Sequence, residues 1–214
     1  MIKKIVMKGI DVSRHNKVTD FNKVKADGVE FVIIRAGGSN GGLYKDPKFE
    51  QYYAAAKAAK LHIGAYYDTG KDFISYSNGF MCAGHFLELI KNKNFDMPLV
   101  VDIETAPTPY REGITDAAIA FCDVIEKNKG YAMIYASDIS GFKERLNIDR
   151  LKHLDKWVAR YGAKPTYIKD FGIWQRTSAG IVDGVDTIVD IDEAYTNYPT
   201  VINRLKLNKF EGRT

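Results

Sequence analysis

The chain has 214 residues, 45% of them hydrophobic and 12% aromatic, with a formal net charge of +4. This supports one domain with a large core. The mild charge and the lack of a dense Lys/Arg stripe give no case for a nucleic-acid partner. Cys82 and Cys122 form neither a disulfide framework nor a metal motif and are expected as buried free thiols. His15, His62, His85 and His153 do not cluster, so no metal site is expected, and no cofactor is called for. The apolar run within Met1 to Met7 is too short for a secretory leader, and no segment is long enough to span a membrane.

Short apolar runs alternate with amphipathic stretches. In chain order, strands are predicted at Ile5–Val12, Glu30–Ala36, His62–Tyr67, Met97–Ile103, Tyr131–Ala136, Lys156–Tyr161, Phe171–Gln175 and Thr187–Ile191. They are rich in β-branched and aromatic residues and bounded by Gly, Pro, Asp or Asn. Helices are predicted over Asp46–Lys60, with Asp46 as N-cap and Pro47 in the first turn, over Ser75–Lys91, and over Thr115–Lys129, with Thr115 as cap. Later connections are shorter and irregular. The glycine-rich loop Gly37–Gly42 lacks the Lys-Ser/Thr ending of a phosphate loop. Eight strands with helices between the early ones predict an α/β fold, a barrel or a doubly wound sheet. Residues 1–198 read as one domain. Residues 199–214 are basic and polar and read as a C-terminal extension, either a closing helix or a linker stub.

In a parallel barrel, chemistry collects at the C-terminal ends of strands. The first strand ends around Asp11, the fourth in Val-Val-Asp102-Ile-Glu104, and the last in Val-Asp190-Ile-Asp192. Residues two apart on a strand share a face, so Asp102 and Glu104 would project together, with roughly 7 Å between Cα atoms. Two close carboxyls in a desolvated site cannot both ionise cheaply, and one becomes a proton donor. Glycoside hydrolysis needs such a pair. An Asp-x-Glu alone also fits a solvated strand end or an ion pair. The buried run before it and the acids on two other strands favour a functional cluster. Arg35, at the end of the second strand, is a candidate substrate-binding residue that would pair with an acid and lower its pKa, with a purely structural ion pair as the alternative. Tyr66 and Tyr135 would contact sugar or the acids, and Trp174 would stack on a sugar ring. Trp157 is expected in the core.

These pieces resemble the family 25 glycoside hydrolases, muramidases of phage endolysins and bacterial autolysins. The resemblance covers residues 8 to 192. It rests on Gly9-Ile-Asp-Val-Ser13, Val29 to Gly37, Asp46-Pro-Lys-Phe49, Ala58 to Tyr67, Pro98-Leu-Val-Val-Asp-Ile-Glu104, Trp157 to Tyr161, Ile173-Trp-Gln175 and Val189-Asp-Ile191, in that order. It implies an irregular (β/α)8-type barrel with eight strands and a reduced set of helices. Glu104 would be the general acid, Asp102 its partner, and Asp11 and Asp190 the rest of the cluster, with Asp192 secondary. The implied substrate is the peptidoglycan glycan strand, cut at the β-1,4 bond between N-acetylmuramic acid and N-acetylglucosamine. The implied place of action is the bacterial wall, reached as a phage endolysin or by secretion, with a wall-binding domain beyond residue 214. The sequence departs from the family pattern at Arg14-His-Asn16, at Asp68 after Tyr67, and at Asp190-Ile-Asp192. Two rival readings are a non-catalytic wall-binding barrel and a different glycosidase such as a chitinase. The first would lack Glu104. The second would carry a longer acidic run than Val100 and Val101 allow.

Overall fold

A computed structural model of the chain describes residues 4–212. Met1 to Lys3 of the stretch read against a leader, and residues 213–214 of the C-terminal stretch, lie outside the described residues. Nine strands and five α-helices follow in the order β1 (Met7–Val12), α1 (Phe21–Ala26), β2 (Phe31–Gly38), β3 (Tyr44–Lys45), α2 (Phe49–Ala58), β4 (His62–Asp68), α3 (Tyr76–Ile90), β5 (Leu99–Asp102), α4 (Arg111–Lys127), β6 (Ala132–Ser137), β7 (Asp155–Ala159), β8 (Ile173–Gly180), β9 (Val189–Ala194) and α5 (Tyr198–Arg204). The two-residue β3 folds back on β2, and the other eight strands close into a barrel through the β1–β2 pairing. All eight predicted strands are present.

One expectation needs correction. The barrel is mixed, not parallel: β9 runs antiparallel to both β1 and β8. Asp190 therefore reaches the mouth from the start of its strand, opposite Asp11 in the β1–β9 register. The reason lies in the connections. The segment between β8 and β9 is too short to carry a crossover, which parallel neighbours need.

Side chains sort by strand alternation. Inward residues (Phe31, Ile33, Val100, Met133, Tyr135, Trp157, Ile173) form an interior cluster. Their outward neighbours (Val32, Ile34, Val101, Ile134, Val158) join a second cluster beneath the helices. Inside the barrel, polarity rises along each parallel strand. β2 points in Phe31, Ile33 and then Arg35; β5 points in Val100 and then Asp102. β9 gives the reverse order, Asp190 and Asp192 before Ala194, as an antiparallel strand must. The interior is thus an apolar floor below a polar mouth. Gly9 is required in that floor, because a Cβ there would sit 2.3 Å from the Phe31 ring.

Helices cover the barrel mainly between β3 and β6. Ser75 caps α3 by accepting from Asn78 N. Asp46 does not cap α2, which begins at Phe49. Its carboxylate is buried instead, accepting from Arg14 N, Lys48 N and Arg35 Nε. An acid that can meet a buried guanidinium gains more there than at a solvated cap. Thr115 lies one turn inside α4, where its hydroxyl bonds Arg111 O and accepts from Asn147 N. After β6 the connection is a π-helical turn (Asp138–Lys143) and a 3-10 turn (Ile148–Leu151). From Tyr198 the chain closes the barrel's floor. Tyr198 and Ile202 join the interior cluster, and buried Asn208 bonds Tyr131 N and Met97 O.

Candidate active site

A cavity of about 160 Å³ opens at the mouth, lined by Asp11, Tyr66, Asp102, Glu104, Tyr135, Trp157, Tyr161, Gln175 and Asp190. The four acids expected to converge all reach it, from β1, β5, the turn after β5, and β9. Glu104 lies two residues beyond the last paired residue of β5. The alternation nonetheless continues through it, since Ile103 packs outward into the helix-side cluster.

The acids sit at different depths. Asp11 and Asp102 are buried, and Asp190 is half-buried. Glu104 keeps solvent-exposed surface at the rim. Burial pushes the Asp102 carboxyl well above the usual range, and the negative charge of Glu104 adds to the rise. Burial raises Asp11 in the same way, helped by Asp192 and Asp190. Glu104 is raised by the protein mass around the mouth and by Asp68, while Arg145 opposes the rise. Asp190 is raised by burial. One oxygen of Asp102 finds no hydrogen-bond partner within the protein.

Polar neighbours fix the acids. Gln175 Nε2 donates to Asp11 Oδ2 at 2.7 Å, and Gln175 Oε1 accepts from Tyr135 Oη at 2.8 Å and Tyr161 Oη at 3.1 Å. With Nε2 given to Asp11, the amide oxygen is left to accept from the two hydroxyls. Asp192 is fully buried below the cavity, taking a 2.8 Å bond from Trp157 Nε1. It shares Asp190's face, one inward position deeper.

The other expected residues divide. Tyr66 and Tyr135 line the cavity. Trp174 does not: its Nε1 donates to Arg160 O at 2.8 Å on the outer side of β8. Trp157, expected in the core, is both core and cavity wall, in contact with Tyr135 at 4.5 Å between ring centroids. Arg35, a substrate-binding candidate, does not line the cavity; it pairs with Asp46 at 2.7 Å, the structural alternative. Two lining residues were missed, Tyr161 and Gln175. Alternation would have found Gln175, two positions after inward Ile173. Tyr161 lies two residues past the end of β7, and the same alternation, through inward Trp157 and Ala159, reaches it.

No helix among the described residues is long and apolar enough to cross a membrane. Against known proteins, the sequence pattern of the glycosyl hydrolases family 25 matches residues 10–185. The chain belongs to that family. An autolytic lysozyme of Clostridium acetobutylicum is 31% identical over 188 residues, covering 87% of this chain and 55% of the relative. The chain thus spans about half the length of that curated relative. Among solved structures, the CTP1L endolysin superposes with a TM-score of 0.80 at 27% identity, over 93% of this chain and 70% of that one. A family 25 glycosyl hydrolase from Bacillus anthracis superposes with a TM-score of 0.78 at 21% identity, over 95% of each chain, and shares the fold.

Proposed function

We propose that the protein is a muramidase that hydrolyses the β-1,4 bond between N-acetylmuramic acid and N-acetylglucosamine in peptidoglycan. The observation that carries this reading is the convergence of Asp11, Asp102, Glu104 and Asp190 on one walled cavity in a chain of this family. Its place of action is the bacterial wall, reached by release through a lysing host's membrane or by secretion. Residues 1–198 carry the proposed catalytic residues, and the segment after them closes the barrel floor.

Glu104 is the general acid. It sits at the rim where a bridging oxygen can reach it, and its raised carboxyl holds a proton toward neutral pH. Asp102 below it is the partner. Burial favours its neutral form, so the charge left on Glu104 after proton transfer meets little repulsion. Asp11 and Asp190 face the departing bond from the opposite wall. In the free enzyme their charges are unfavourable: burial raises both carboxyls, and Asp190 adds to the rise at Asp11. A sugar acquiring positive charge at its anomeric carbon reverses that penalty. The cavity therefore stabilises the oxocarbenium-like transition state more than the resting substrate. Tyr66 and Tyr135 offer hydroxyls and ring faces to the sugar.

Glu104→Gln keeps the size of the side chain and removes the proton. Release of new reducing ends from purified wall glycan is expected to fall by about 10²-fold or more, with the thermal midpoint unchanged. Wall lysis by that variant at the parent rate would overturn the assignment. The anomeric form of the first product, read by NMR, decides between a retaining and an inverting course.

A further inference from the structure

Beside the central cavity lies a second one of about 270 Å³, lined by Glu104, Ser137, Ser140, Arg145, Ala159, Arg160 and Tyr161. The two share Glu104 and Tyr161, so a substrate held in the first runs into the second. Its charge is distinctive. Arg160 is already neutralised: Nη1 lies 2.8 Å from Asp138, a buried carboxylate that also accepts from the backbone N–H groups of Thr166, Tyr167 and Ile168. Arg145 is different. Its Nε is spent on Ala106 O at 2.6 Å, which anchors the side chain. Among the described residues its guanidinium has no carboxylate within ion-pair distance, although it lies near enough to Glu104 and Asp102 to act on both. Ser137 and Ser140 bond each other at 2.6 Å, and that single bond leaves one hydroxyl proton to give.

A half-buried cation without an anion, next to an acid that must keep its proton, is unfavourable unless something else neutralises it. We propose that this second cavity is an anion-accepting subsite in which Arg145, flanked by the Ser137 and Ser140 hydroxyls, binds a carboxylate of the substrate adjacent to the bond that Glu104 protonates. The inference rests on the muramidase reading and deepens it. Arginine suits the task, because its planar fork matches a carboxylate with two parallel N–H bonds. In peptidoglycan such a carboxylate comes from the lactyl ether of N-acetylmuramic acid or from an attached peptide. Filling the subsite also offsets the cation's pull on Glu104, so the bound substrate helps keep Glu104 protonated until its proton is needed.

The test compares kcat/KM on four glycans. These are stem-free glycan with its lactyl carboxylates intact, the same glycan with those groups reduced to alcohols, peptide-bearing glycan, and peptide-bearing glycan with its carboxylates esterified. The parent protein is expected to prefer a carboxylate-bearing member over its neutral counterpart by about tenfold or more, the size of a charge-assisted hydrogen bond. The pair that shows the preference identifies the source. Arg145→Gln is expected to bring that ratio close to one, and Arg145→Lys to restore part of it. A parent enzyme indifferent to carboxylate loss overturns the inference without any variant. So does an Arg145→Gln variant that keeps the preference. Failure to cleave any of the four glycans would instead sink the muramidase reading itself.

Discussion

Asp102 is the residue at which stability and activity diverge most. In the unfolded chain an aspartate ionises above about pH 4. In the fold, burial and Glu104 keep the same group protonated to higher pH. The unfolded state therefore binds fewer protons across that window, and this residue's contribution to stability is full in acid and declines as pH rises toward its folded pKa. Asp102→Asn removes the titration. We expect the variant to be more stable than the parent by about 1 kcal/mol at pH 7 and no more stable at pH 4, as measured by thermal melting. Equal differences at both values would show that Asp102 is ionised in the fold. The acids were legible in the sequence because a carboxylate inside an apolar strand is hard to explain by solvation. Gln175 and Tyr161 were less visible, because an amide or a phenol in such a run fits a core equally well. Trp157 took the core place expected of it and lines the cavity as well, whereas Trp174, expected to stack on a sugar, lies on the outer side of β8. Their ring orientation depends on which partner each indole N–H finds, Arg160 O for one and Asp192 for the other.

Between elements, a close backbone contact joins α3 to α4. Gly79 approaches Ala117 so closely that an added Cβ would lie 2.1 Å from the Ala117 carbonyl oxygen and 2.7 Å from its Cα. Backbone cannot step aside as a side-chain tip can. Next to this contact, Phe86 and Phe121 stack at 5.6 Å. Gly79→Val should part the helices and lower stability by about 2 kcal/mol, read from urea unfolding, with an unchanged substrate preference because the contact lies on the outer layer. The start of α3 was predicted from Ser75. The start of α4 was not, because Thr115 has the chemistry of a cap and yet serves a helix interior. It holds Asn147 of a later turn, a partner 32 residues away that local pattern does not contain. The π-helical and 3-10 turns after β6 matched the irregularity expected there.

For the molecule as a whole, closure of the barrel depends on its floor as much as on its ladder. Tyr198 is fully buried, packs edge-on against Tyr131 at 5.6 Å, and donates to Asp155 Oδ2 at 2.6 Å. Tyr198→Ala removes both the ring and the bond. It should lower unfolding free energy by about 3 kcal/mol or more in denaturant, while Tyr198→Phe, which keeps the ring, should recover most of the loss. If alanine costs no more than phenylalanine, the floor does not depend on packing.

The sequence by itself determined the eight strands and the acids that would face one another. These follow from a period of two and from the cost of placing charge inside an apolar run, both local properties of the chain. Tertiary structure alone decided the direction of β9, the pairing of Arg35 with Asp46, the Gln175 bridge between Asp11 and two tyrosines, and the unneutralised guanidinium of Arg145. Each of these depends on which distant groups share a small volume. Alternation fixes the face a side chain takes, but the partner waiting there is set only when the barrel closes.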